Sequence, residues 1–287
     1  MPLRFLAFGL LIAVGALSGP FAAVRAQTVV ADADRRIVAL GDLLQMGEVI
    51  EVMRVEGIEN AVSLEAEMFP GQGGARWQAV ADQIYDPVAM RANFDAALLV
   101  QMAGDDALLR DVEAFFASDL GKRVVTLEIA ARRALLDDAA EEAAQVALQA
   151  MTDDKDARLT RLQDFAEVND LVESNVMGAL NANLAFYRGL AEVSGFSEDL
   201  TEEQMLSDVW AQEDDIRAET EEWLYPFLAL AYEPISDADL AAYHDFSASP
   251  AGQKVNAALF VAFDGMFTEI SRNLGRAVAR QMQGQDL

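Results

Sequence analysis

The sequence predicts an all-α protein, an antiparallel helical repeat or bundle built from two duplicated units. Three observations carry this expectation. Apolar residues recur at three- and four-residue spacing along most of the chain, the period of a helix with one buried face. No sustained alternation of β-branched residues appears after Val30, so strand signals are scarce. Finally, Asp105–Val124 and Ser236–Val255 align without a gap at an offset of 131 residues, with eight of twenty positions identical. The identities include Asp106/Asp237, Leu109/Leu240, Phe115/Phe246, Ser118/Ser249, Gly121/Gly252 and Val124/Val255.

Each stretch reads as a short helix, a tight corner and the start of a longer helix. Ser236 follows Pro234 and is suited to cap the short helix, with Asp239 in a weaker form of the capping box. Leu240, Tyr243 and Phe246 then follow helical spacing. Ser249 caps the next helix, and Pro250 fits its first turn, where no backbone N–H is required. In the first copy Ser118 is the cap, and Asp119 places its charge where the helix dipole favours it. Gly121 and Gly252 lie one turn into the long helix, where glycine is intrinsically poor. Their repetition implies close approach of another helix or of a ligand, and helix packing is the commoner need. Phe246 is expected to anchor the short helix in the core.

Phe246, Ser249, Pro250, Gly252, Gln253 and Lys254, preceded by the acidic helix start Asp237 and Asp239, resemble the signature of the bacterial DUF2059 family. That family reads as an acidic helix start followed by FYxSPxGQK, and the resemblance is strongest from about Tyr225 to Phe267. The family's tyrosine is Ser247 here and Phe116 in the first copy, which also carries Asp119, Lys122 and Arg123 in place of Pro, Gln and Lys. The resemblance implies a helical exported domain and no particular reaction.

Taken in order, residues 1–26 read as a signal peptide. Arg4 supplies the positive start, Phe5 to Leu17 is an apolar run short for a membrane span, and Val24-Arg25-Ala26 places small residues for cleavage after Ala26. An uncleaved anchor is the alternative. The expected localisation is periplasmic or secreted, with no stable membrane span after cleavage. Residues 27–150 form the first unit. Within it, one helical pattern runs from Ile37 to Met53 and a second from Ala61 to Phe69. Pro70 to Gly74 is a loop, and helices follow at Trp77–Tyr85, after Asp86-Pro87, and from Asp119 to about Met151. Thr152 to Asp156 is the boundary, and residues 155–287 form the second unit. Its helices run from Leu159 to Tyr187, from the Thr201/Gln204 capping box through Trp223, and from Pro250 to about Arg280; Pro226 should kink or restart one of them.

Composition excludes several functions. The formal net charge is −27, from 48 acidic and 21 basic residues, which disfavours nucleic acid and anionic lipid as partners. No cysteine is present, so disulfides, zinc–thiolate sites, thiol catalysis and a lipidated-cysteine anchor are excluded. The single histidine, His244, lies within the short helix beside Asp245, and neighbours in a helix diverge, so Asp245 does not orient it for a catalytic triad. Asp137, Asp138, Glu141 and Glu142 read as a solvated acidic face, and Asp153, Asp154 and Asp156 lack the glycine and terminal glutamate of a calcium loop. No metal, cofactor or catalytic residue is therefore assigned. His244, Gln253 and Lys254 remain as binding candidates, and Ser118, Gly121, Phe246, Ser249, Pro250 and Gly252 as structural ones. Two classes of function stay open: a non-catalytic exported protein that binds a protein or small ligand, and a hydrolase using carboxylates or a carboxylate-bound metal.

Overall fold

The computed structural model describes residues 33–194 and 201–284; the expected signal peptide and its cleavage site lie outside the described residues. The described residues are 87% helical, and none of them forms a strand. The helices are α1 (33–43), α2 (Met46–Met68), α3 (Gly74–Ile84), α4 (Pro87–Met102), α5 (Asp106–Ala117), α6 (Asp119–Ala134) and α7 (Asp138–Asp153). They continue with α8 (Ala157–Val168), α9 (Leu171–Ser194), α10 (Glu202–Trp210), α11 (Glu213–Tyr232), α12 (Asp237–Ala248) and α13 (Pro250–Met282).

The capping chemistry read from the sequence sets many of these boundaries. Asp86 accepts a hydrogen bond from Ala89 N at 2.8 Å, Thr201 accepts one from Gln204 N at 3.1 Å, and Ser236 accepts one from Asp239 N at 3.1 Å. Each satisfies an N–H that has no intrahelical partner.

Other boundaries differ from the sequence reading. The pattern from Ile37 to Met53 is broken at Gln45 (φ 50°), and α2 then runs without interruption past Ala61. Leu159 to Tyr187 is broken at Asp170 (φ 52°) between α8 and α9. Asp119 to Met151 is broken where Asp137 caps α7 by accepting from Ala140 N at 3.1 Å. The helix expected from Thr201 through Trp223 ends at Trp210, and α11 begins at Glu213. Pro226, by contrast, sits inside α11 without ending it.

The two corners have the same local geometry. α5 and α12 are both 12 residues long. Ser118 and Ser249 adopt ψ 164° and 159°, ending one helix and opening the next. Each hydroxyl donates to the carbonyl three residues back, Phe115 or Phe246, at 2.6 Å. Each also accepts from Gly121 N at 3.0 Å or Gly252 N at 3.1 Å. A serine that closes one helix and opens another makes two hydrogen bonds, so Ser118→Ala and Ser249→Ala are each expected to cost about 1–2 kcal/mol. Chemical denaturation of the two variants tests this, and a midpoint unchanged from the parent refutes it.

The likeness extends beyond the corners. At the same 131-residue offset α2, α3 and α4 overlap α9, α10 and α11. α2 packs on α3 and α4, as α9 packs on α10 and α11. Each short corner helix also reaches the long helix of the other corner, α5 on α13 and α12 on α6. Phe115 and Phe246, the equivalent residues, stack face to face between the corners with ring centroids 3.7 Å apart and planes 2° from parallel.

Where α6 stops at Ala134, α13 continues to Met282 and becomes the central strut, packed along α9 and α4. Glycine allows this contact: a Cβ on Gly189 would lie 2.1 Å from Arg272 O, and one on Gly275 would lie 2.1 Å from Phe186 O. The largest apolar cluster draws on both halves, from Ile37, Phe94 and Phe116 to Phe263, Leu274 and Val278. A second cluster joins Val124 and Ala131 of α6 to Phe165, Leu228 and Tyr232.

Candidate functional site

The site lies between these clusters. It is a cavity of about 240 Å³ walled by residues from both halves. α2 contributes Met46, Val49 and Met53, and α13 contributes Asn256, Leu259 and Phe263. From α11 come Trp223, Leu224, Phe227, Leu228 and Tyr232, one continuous stripe at helical spacing. Trp223 and Phe227 are half-buried and stacked, with centroids 5.0 Å apart and planes 8° from parallel. The wall is therefore mostly aliphatic and aromatic, and its polar groups are few.

The chief polar group is a carboxyl with two phenols. Glu128 of α6 accepts from the Tyr232 hydroxyl at 2.7 Å and from the Tyr243 hydroxyl at 3.0 Å, both on Oε1. Tyr232 is buried, and Phe165 packs against both tyrosine rings. Burial raises the Glu128 carboxyl above the ordinary range, and the two phenol hydrogen bonds pull it back in part. Burial and the neighbouring carboxylate hold both tyrosines well above their usual values. Arg132, one turn further along α6, also lines the cavity, but Glu56 engages its guanidinium through two hydrogen bonds of 2.9 and 2.6 Å.

The raised Glu128 value makes a signed prediction. A carboxyl that is harder to ionise when folded contributes stability that is complete below the unfolded range, near pH 4.3, and is lost as pH rises through the folded value. Glu128→Gln keeps a neutral acceptor for the tyrosines, so the variant is expected to gain on the parent as pH increases and to melt higher at pH 8. Thermal melts at pH 5 and pH 8 check this; a variant that loses ground to the parent at the higher pH contradicts the sign.

A second polar group is Asn175 of α9. It is 3% exposed, and its Nδ2 donates to Leu171 O at 2.6 Å, which fixes the orientation of the amide. Its Oδ1 is buried without a hydrogen-bond partner. Asn169 and Asn256 also line the cavity but are committed elsewhere: Asn169 Nδ2 donates to Phe165 O at 2.9 Å, and Asn256 Nδ2 donates to Asn169 O at 2.8 Å.

The residues singled out from the sequence lie elsewhere. His244 and Lys254 are half-buried and do not line the cavity. Among the described residues Lys254 makes no ion pair. Gln253 has a structural partner on each side, its Nε2 donating to Val168 O at 2.7 Å and Ser247 O at 2.9 Å. It thereby ties the C-terminal end of α8 to the second corner. Gly121 and Gly252 do permit close packing, but the neighbour is the end of the helix just before them. A Cβ would meet Phe115 O at 2.1 Å in one corner and Phe246 O at 2.0 Å in the other. Phe246 is half-buried rather than enclosed in the core, because its ring lies against Phe115 at the seam between corners.

Sequence reasoning missed Glu128, Asn175, Tyr232, Tyr243, Trp223 and Phe227 as a group. One signal was present for Glu128. Gly121, Val124, Val125, Glu128, Ile129 and Arg132 occupy a single helical stripe, so a carboxylate and a guanidinium interrupt an apolar face. At the 131-residue offset α13 has Leu259 and Phe263 where α6 has Glu128 and Arg132. Both pairs line the cavity, which thus has a polar wall from α6 and an apolar wall from α13.

The first of these walls falls within the segment that has known relatives. Residues 104–150 match the DUF2059 family, described as an uncharacterized protein conserved in bacteria. The matched segment covers α5, α6 and most of α7, and so contains the first corner and Glu128. The sequence resemblance had been carried on the second corner; the family match lies on the first, which has the same serine cap and the same glycine contact. No curated protein and no solved structure matches the chain.

The arrangement bears on the two open function classes. A glycosidase-type hydrolase needs two facing carboxyl groups, whereas the cavity wall carries one, Glu128. Among the described residues there is no group of three acids or histidines placed to hold a metal ion, and no helix is long and apolar enough to cross a membrane.

Proposed function

We propose that this is an exported, non-catalytic binding protein of the bacterial periplasm, made of two duplicated DUF2059-like units, 27–150 and 155–287, that hold a small ligand between them. The observation that carries the reading is the cavity of about 240 Å³ at the seam, apolar over most of its wall and lined by both halves. A cavity of about 150 Å³ lined by apolar side chains is enough to take up benzene. This one accommodates a molecule of roughly bicyclic aromatic size by the same measure. The common geometry of the two corners and the common order of helices support the duplication. The apolar leader, Arg4 and the Val24-Arg25-Ala26 site support export.

The test is native mass spectrometry of protein recovered from a bacterial periplasm after expression with residues 1–26 in place. The expected result is a chain cleaved after Ala26 that carries a small molecule released on denaturation. A chain retaining residues 1–26 contradicts the export reading. A cleaved chain that carries nothing, even after incubation with a library of small apolar compounds, contradicts the ligand reading.

A further inference from the structure

Two charged side chains line the cavity, Glu128 and Arg132, and only one of them has its charge matched. Arg132 is held by Glu56 in a two-bond pair. Among the described residues Glu128 has no cationic partner, and its hydrogen bonds come from the two phenols, both to Oε1. Oε2 accepts none, yet unlike Asn175 Oδ1 it is not sealed off from water. Glu128 lies deep among neighbouring atoms, but its side chain is only partly buried. The surface it leaves open therefore belongs to the cavity it lines, and Oε2 is the carboxyl oxygen left for a guest. A carboxylate placed there has given up water without gaining a cation, which is unfavourable until a counter-charge arrives. The raised carboxyl range of Glu128 reports the same lack.

We infer that the cavity binds an apolar molecule that carries one ammonium group, an amine in its protonated form, with an N–H directed to Glu128 Oε2 and its apolar body against Trp223, Phe227, Leu259 and Phe263. This deepens the preceding proposal and rests on its reading of the cavity as a ligand site. The ammonium supplies the positive charge that Glu128 lacks, through a charge-assisted hydrogen bond, the stronger kind. The apolar body gains by leaving water for a wall of aromatic and aliphatic side chains. A neutral guest would leave the carboxylate uncompensated. An anionic guest would add a second negative charge where Arg132 is already taken by Glu56. The two walls suit a guest with one charged end: α6 places Glu128 where α13 places Leu259. The net charge of −27 also draws cations toward the chain.

The experiment is calorimetric titration of the purified protein at pH 7 with three compounds of similar shape: 1-naphthylmethylamine, 1-naphthylmethanol and 1-naphthoate, which are cationic, neutral and anionic there. Salt at about 0.15 M screens the acidic surface and leaves a buried pair largely unscreened. The expected result is that the amine binds about tenfold or more tightly than the alcohol, the ratio that one charge-assisted hydrogen bond provides, and that the carboxylate binds more weakly than either. Glu128→Gln keeps an acceptor for the tyrosines and removes one of the 48 acidic side chains, so it separates the cavity from the surface. In this variant the preference for the amine should fall to near unity, and a preference that survives would overturn Glu128 as the group that selects the ligand. Because the first comparison uses the unaltered chain, it stands even if the variant fails to fold. Equal affinity of the unaltered chain for the amine and the alcohol would overturn the charge inference and leave the cavity reading intact. Binding of 1-naphthoate as tightly as the amine would overturn the sign of the ligand's charge. If none of the three binds, the ligand reading falls together with this inference.

Discussion

Gly252→Ala is expected to destabilise the protein by about 3 kcal/mol, and Gly121→Ala by a similar amount, against the usual direction for glycine in a helix. Alanine normally gains on glycine by up to about 1 kcal/mol in a helix interior. At Gly252 a methyl group would stand 2.0 Å from Phe246 O and 2.7 Å from the Ser247 Cα. Both are backbone atoms, so no rotamer change relieves the clash. Either the corner opens, with loss of the Ser249 cap, or α12 moves away from the seam. Overpacking of this kind costs typically about 1–3 kcal/mol, and a clash with backbone atoms alone places it at the upper end. Gly265 is the internal control. It lies in the same helix, α13, with nothing within 4 Å of where its Cβ would be. Gly265→Ala should therefore stabilise the protein by about 0.5–1 kcal/mol. Urea unfolding of the three variants decides the matter: if Gly252→Ala and Gly265→Ala shift the midpoint in the same direction, the corner is not the tight contact described.

Phe246→Ala is expected to cost about 3 kcal/mol, the lower end for a phenylalanine truncation because the ring is half-buried. Its partners identify what is lost. Phe115 stacks on it at 3.7 Å, Phe116 meets it edge-on at 5.6 Å, and Phe115 also stacks on Tyr243 at 5.5 Å. The chain of rings runs from the corner seam to a tyrosine that holds Glu128. Removal of Phe246 should therefore disturb the cavity as well as the fold. A double-mutant cycle with Phe115→Ala isolates the stacking itself, with an expected coupling of about 0.5–1.5 kcal/mol. Additive losses would mean that the two rings are merely adjacent, and that the seam is held elsewhere, by α13 on α4 and α9.

The particular residues explain which features were legible in the sequence. Asp86, Thr201, Ser236, Ser118 and Ser249 announce helix starts because a short polar side chain satisfies an N–H two or three residues ahead, a purely local bond. The junctions at Gln45 and Asp170 gave no such signal. Each takes a left-handed conformation that a glycine would have marked, and only the packing of the flanking helices selects it. Asp137 carried a cap signal, but the acidic run around it reads equally well as one exposed helical face.

Sequence alone determined the helical class, the serine-capped corner and its repetition, because these depend on periodicity and on bonds between near neighbours. Only the tertiary structure decided that the two corners face each other through Phe115 and Phe246, and that Gln253 serves the end of α8. It also brought Glu128, Asn175, Trp223 and Tyr232 to one cavity from three different helices. The physical reason is separation along the chain. Glu128 and Tyr232 are 104 residues apart, and no local preference of either encodes a hydrogen bond that exists only after α6 and α11 have packed.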